Sequence, residues 1–115
     1  MIAAFNNVLE SLSMFIYHIV LPALWDKYKD RPSYQTESLQ TEGFIHCSYE
    51  NQVDDVLKRY YSKARRVLIL KIDTAKLKSK LVEEPSTNNE IYPHIYGRLN
   101  HNAVADIEER ILTTE

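Results

Sequence analysis

The chain has 115 residues, 44% hydrophobic and 26% charged, the balance of an ordinary globular protein long enough to bury its own core. Its net charge of −2 excludes bulk binding of DNA by electrostatics, which needs a basic excess. A single cysteine excludes an internal disulfide, and no apolar run approaches the ~20 residues of a membrane span, so a cytoplasmic address without membrane contact is expected.

Residues 1–14 stand apart. Phe5, Leu9 and Leu12 fall loosely on one side of a short helix, which is marginal unless it docks. Asn6, Asn7 and Glu10, with no basic start, make a poor signal peptide. Residues 1–14 therefore read as an N-terminal extension and residues 15–115 as one domain. Phe15–Val20 is apolar and β-branched enough for a strand closed by Leu21-Pro22. Ala23–Lys29 is a short helix carrying Trp25, stopped by Arg31-Pro32-Ser33, and a polar stretch leads to a second strand, Phe44–Ser48. Val53, Val56, Leu57, Tyr60 and Tyr61 then recur at helical spacing. That stripe is expected to pack against a sheet whose central strand, Val67–Ile72, includes Leu68 and Leu70. Leu77 to Glu84 is weakly patterned, Pro85–Glu90 is a polar loop, and Ile91–Tyr96 and Ala103–Ile111 are two further strands. Strands outnumber helices and the helices come early, which is an α+β arrangement.

Three of the four histidines sit in strand-like, apolar or aromatic frames: Tyr17-His18-Ile19, Ile45-His46-Cys47 and Pro93-His94-Ile95. Alternation along a strand sets His46 on a face with Phe44 and Ser48, His94 with Tyr96, and His18 with Ile16 and Val20. It also turns Cys47 away from His46, so Cys47 reads as a small core residue rather than a nucleophile. No histidine pair has the short spacing that builds a metal site, and two glycines in all exclude a glycine-rich phosphate loop. A lone strand histidine is more often a core group hydrogen-bonded to backbone than a catalyst, and Tyr17, Tyr60, Tyr61 and Tyr92 are more often packing groups than base-stacking platforms. Three such histidines close to polar donors weigh against that plain reading.

The segments Tyr17-His18-Ile19, Ser38-Leu39, Glu42-Gly43-Phe44-Ile45-His46-Cys47-Ser48, Leu70-Lys71-Ile72-Asp73, Glu84-Pro85 and Pro93-His94-Ile95-Tyr96-Gly97-Arg98 closely resemble the domain-of-unknown-function family 952. The resemblance runs from Phe15 to about Ile111. It implies an ADP-ribosyltransferase-like fold, a split, curved, mixed β-sheet with short helices and a cleft between its halves. Within that superfamily, Phe44–Ser48 looks like the H-V-H-L-S strand of RNA 2′-phosphotransferases, and Tyr17-His18-Ile19 like their first strand. The carry-over makes His18 a donor to a ribose hydroxyl of NAD, with His46 and Ser48 lining the same cleft. The phosphate-binding arginines have no assured match, although Arg98 lies near the third histidine, and the catalytic glutamate has no match beyond Glu84 as a candidate.

The resemblance and the residues together imply a domain that binds a nucleotide or phosphorylated ribose. Its site would comprise His18, Ser38, His46, Ser48, His94, Tyr96 and Arg98, with the histidines in catalytic roles and NAD as cofactor. Such a site acts on oxocarbenium-like chemistry by fixing the ribose and stabilising charge. ADP-ribosyl or phosphoryl transfer is the enzymatic expectation. A non-catalytic module that senses a nucleotide or an RNA end, or a partner-docking domain, is the alternative.

Overall fold

The computed structural model describes residues 14–112, so the expected N-terminal extension falls outside the described residues apart from Met14. The carbonyl of Met14 accepts hydrogen bonds from both the amide (3.1 Å) and the hydroxyl (2.7 Å) of Thr74. From there β1 (Phe15–Val20), β4 (Arg66–Asp73) and β8 (Val104–Ile111) form one three-stranded sheet in the order β1-β4-β8. A second three-stranded sheet has β3 (Ile45–His46), β6 (Ile91–Tyr96) and β5 (Lys80–Pro85) in the order β3-β6-β5. β2 (Ser33–Tyr34) pairs with β7 (Leu99–Asn100). The helices α1 (Pro22–Tyr28), α2 (Glu37–Thr41) and α3 (Val53–Tyr60) all precede β4.

The class is α+β with few short helices, as the sequence indicates. Every strand pair among the described residues is antiparallel, where the family resemblance implies a mixed sheet. A parallel pair needs a crossover of about a dozen residues. Between β5 and β6 there is only the short turn Thr87–Asn89, in which Asn88 (φ 57°) and Asn89 (φ 62°) take the left-handed conformation that asparagine tolerates better than most residues.

A backbone bridge joins the two larger sheets. The Tyr17 amide donates to the Ser48 carbonyl at 2.8 Å and the Ser48 amide donates to the Tyr17 carbonyl at 2.7 Å. Two residues past the end of β3, the chain is thereby stitched to β1. β4 is buried on both faces: Val67 and Ile69 join Ile19, Val53 and Leu57 in one apolar cluster, while Leu70 and Ile72 join Ile16, Val20, Ile45 and Ile95 in another.

The same alternation selects the face of central strand β4 on which α3 docks. The helix lies on Val67 and Ile69, and Leu68 and Leu70 face the opposite cluster, because a shift of one residue along a strand changes its face. Tyr60 also leaves the core. It is 60% exposed, and its hydroxyl, at the end of the helix, shares a 3.0 Å hydrogen bond with that of Thr87. Acidic Asp54 and Asp55 in the first turn and basic Lys58 and Arg59 in the last complement the helix dipole.

β2, α2 and β7 lie in segments the sequence leaves as loop, since elements this short carry no readable period. β5 occupies the weakly patterned stretch because it is an edge strand, at most half-buried along its length. Gly97 adopts φ +152° at the end of β6, where an added Cβ would collide with the Ser79 side chain.

Leu57→Ala, which removes most of a side chain that is only 7% exposed, is expected to lower stability by about 2–5 kcal/mol. Tyr60→Ala is expected to change it by less than about 1 kcal/mol. Urea denaturation of the two variants checks the contrast.

Candidate functional site

The chain around the join of the sheets lines a cleft of 690 Å³, within the range of ~300–1,000 Å³ that holds a small organic ligand. His18 reaches it from β1. Its Nδ1 lies 2.6 Å from the carbonyl oxygen of His46 and its Nε2 lies 2.7 Å from the hydroxyl of Tyr34. A carbonyl only accepts, so Nδ1 carries the proton and Nε2 accepts from Tyr34. Burial pulls the His18 pKa from 6.5 down to about 4, since the interior penalises the charged ring. The ring is neutral at pH 7, in one tautomer. Tyr34 is itself buried, packed edge-on against His18 and Tyr28 and tilted against Trp25, and burial raises its hydroxyl pKa, so it keeps the proton that it gives to His18.

His46 points out of β3 because its neighbours Ile45 and Cys47 are in the core. Its ring is half-exposed and its Nε2 lies 3.1 Å from Glu42 Oε2. Both residues line the cleft, with Glu37, Ser38 and Ser48. Ser38 donates to the carbonyl of Phe44 at 2.8 Å. Cys47 reaches the cleft as well, but burial raises its thiol pKa far above neutrality, which leaves it unreactive.

A family model described as Protein of unknown function (DUF952) matches residues 19–107. The chain belongs to that family. Two solved structures of protein CC0527 from Caulobacter crescentus are similar in fold. The crystal structure has a TM-score of 0.75 at 24% identity, covering 83% of this chain and 84% of that one. The solution NMR structure has a TM-score of 0.75 at 24% identity, covering 87% of each. No curated protein matches the chain.

In this DUF952 domain the third histidine lies beside the cleft, not on its wall. His94 is opposite His46 in the β3–β6 register, with ring centroids 5.4 Å apart, yet it is only 2% exposed and does not line the cleft. Phe44 stacks over it at 4.0 Å and 15°. His94 Nδ1 donates to Glu84 Oε2 at 2.6 Å, and the Tyr96 hydroxyl donates to the same oxygen. Those two bonds, Tyr96 first and His94 second, hold the Glu84 pKa below the usual carboxylate range, and the same contact raises that of Tyr96. His94 Nε2 is buried with no hydrogen-bond partner among the described residues.

Of the seven residues singled out from the sequence, His18, Ser38, His46 and Ser48 share the cleft, while His94 and Tyr96 form the adjoining cluster with Glu84. Arg98 joins neither. It is exposed, and its carbonyl accepts from Ser79 at 2.6 Å. Sequence reasoning missed Tyr34 and Glu42 as site residues. Glu42, four residues before His46, was the more findable, although a loop separates the two and no helical spacing applies. Nothing in the polar stretch around Tyr34 marks it. Among the described residues no group of three His, Cys, Asp or Glu side chains is placed to hold a metal ion, and no helix is long and apolar enough to cross a membrane.

A histidine whose folded pKa is depressed binds its proton more readily when unfolded, so its contribution to stability is complete above about pH 6.5 and is lost as the pH falls toward 4. The loss amounts to about 3 kcal/mol across that window. His18 is expected to titrate near pH 4 by NMR, with a neutral Nδ1–H signature at pH 6. A midpoint near 6.5 would show that the ring is not held as described.

Proposed function

We propose that this DUF952 chain binds a ribosyl ligand, a nucleotide or nucleoside, in the cleft at the join of its two sheets. The observation that carries the reading is the pairing of two imidazoles on one cleft: His18, neutral and locked in one tautomer, and His46, half-exposed beside Glu42. Tyr34 extends His18 into the cleft. Having given its proton to His18, its oxygen accepts one from a sugar hydroxyl, which places the ribose on a fixed hydrogen-bond relay. On this reading the two sheets joined at the Tyr17–Ser48 bridge correspond to the two halves of an ADP-ribosyltransferase-like split. Tyr60, Tyr61 and Tyr92 on the cleft wall offer rings to a base.

NAD fits this site only in part. The imidazoles and hydroxyls suit its riboses, but among the described residues no lysine or arginine lines the cleft to meet a pyrophosphate. His94, Tyr96 and Arg98 lie outside the cleft lining. A second reading, ribosyl transfer, is favoured by Glu42, a carboxylate in the cleft wall 3.1 Å from His46. A carboxylate so placed stabilises the positive charge that develops on a sugar carbon as its bond to a base breaks. Glu84, the glutamate named from the sequence, is occupied by His94 and Tyr96.

His46 is half-exposed and its contact with Glu42 is at the surface, so His46→Ala is expected to lower stability by no more than about 1 kcal/mol. The same variant is expected to lose the thermal shift that a saturating ribosyl ligand gives the wild type, a stabilisation of about 2.7 kcal/mol at 100 times its dissociation constant. Melting curves with and without nucleosides, nucleotides, ADP-ribose and NAD test this. A His46→Ala protein that is strongly destabilised and still shifts with ligand would overturn the proposal.

A further inference from the structure

Tyr34, Thr36, Ser38, Tyr61 and Tyr92, five of the hydroxyl side chains around the cleft, have already used their protons on the protein. Tyr34 donates to His18 Nε2, whose partner nitrogen is the one that carries the ring proton. Ser38 donates to the Phe44 carbonyl, so in the 2.6 Å contact between Thr36 and Ser38 it is Thr36 that donates. Tyr61 donates to the carbonyl of Ile19 at 3.3 Å and Tyr92 to Glu90 Oε1 at 3.1 Å. What these groups offer a ligand is oxygen lone pairs. Glu37 and Glu42 add two carboxylates, which are acceptors only. Burial keeps His18 uncharged, and no lysine or arginine lines the cleft among the described residues.

A site of this kind recognises hydrogen-bond donors and repels anions. A phosphate brings acceptor oxygens and negative charge, and it would meet the Glu37 and Glu42 carboxylates and the lone pairs of Tyr34, Ser38 and Tyr61, with the His46 ring, Ser48 and Ser86 as side chains left to donate to it. A sugar brings hydroxyl donors, and a base brings N–H donors together with a flat apolar face. The mouth of the cleft, with Leu21 and Leu24 largely exposed beside Val56 and Tyr60, suits that face. We infer that the acceptor-lined cleft selects an uncharged riboside, a nucleoside without phosphate, and discriminates against phosphorylated forms of the same ligand. This rests on the ribosyl reading above and narrows it to one class of substrate.

Calorimetric titration of the full chain with the four common ribonucleosides and their 5′-monophosphates tests the inference. At least one nucleoside is expected to bind, with its monophosphate about tenfold weaker or more at low salt. Raising the salt from about 0.05 to 0.5 M screens the repulsion and is expected to narrow that gap. The double substitution Glu37→Gln with Glu42→Gln is expected to narrow it at low salt. A monophosphate that binds as tightly as its nucleoside, or a gap that neither salt nor the double substitution changes, overturns the inference and leaves the ribosyl reading standing. Binding by no member of the panel overturns both.

Discussion

Two backbone hydrogen bonds between Tyr17 and Ser48, at 2.8 and 2.7 Å, tie β1 to the segment just after β3, and the arrangement of the cleft follows from them. They bring the carbonyl of His46 within 2.6 Å of the His18 ring, so the tautomer of one histidine is set by the backbone of another. Backbone pairing is insensitive to side-chain identity, and this makes the join a firm frame on which side chains alone tune the chemistry.

The three framed histidines occupy three different environments, and their chemistry divides accordingly. His18 is buried and has a partner for each nitrogen, so burial holds it neutral. His46 is half in solvent beside a carboxylate. His94 is sealed beneath Phe44 with Glu84 on one nitrogen. The plain reading of a strand histidine as a core group hydrogen-bonded to backbone describes part of what His18 does, while its link through Tyr34 to the cleft goes beyond it. The same residue is thus a structural and a site residue, which is why its burial alone does not decide its role.

The acceptor character of the cleft has a similar origin. Buried hydroxyls must donate to something, and here the nearest acceptors are the carbonyls of Phe44 and Ile19 and the ring of His18. Folding therefore consumes the protons of Tyr34, Ser38 and Tyr61 before any ligand arrives. These three hydroxyl side chains thereby present lone pairs to the cleft through the packing of the strands beneath them.

The amino-acid sequence by itself determined the local periods: the strands β1, β4, β6 and β8, the helix α3, and the alternation that buries Ile45 and Cys47 while turning His46 outward. These follow from side-chain patterns within one element, and so does the shared face of His94 and Tyr96, which meet on Glu84. Only the tertiary structure decided which face of β4 receives α3, that Tyr34 partners His18 across 16 residues, and that His94 lies beside the cleft rather than in it. Those outcomes depend on pairing between distant segments, two of them strands of only two residues, and no periodicity within a segment specifies the partner it meets in space.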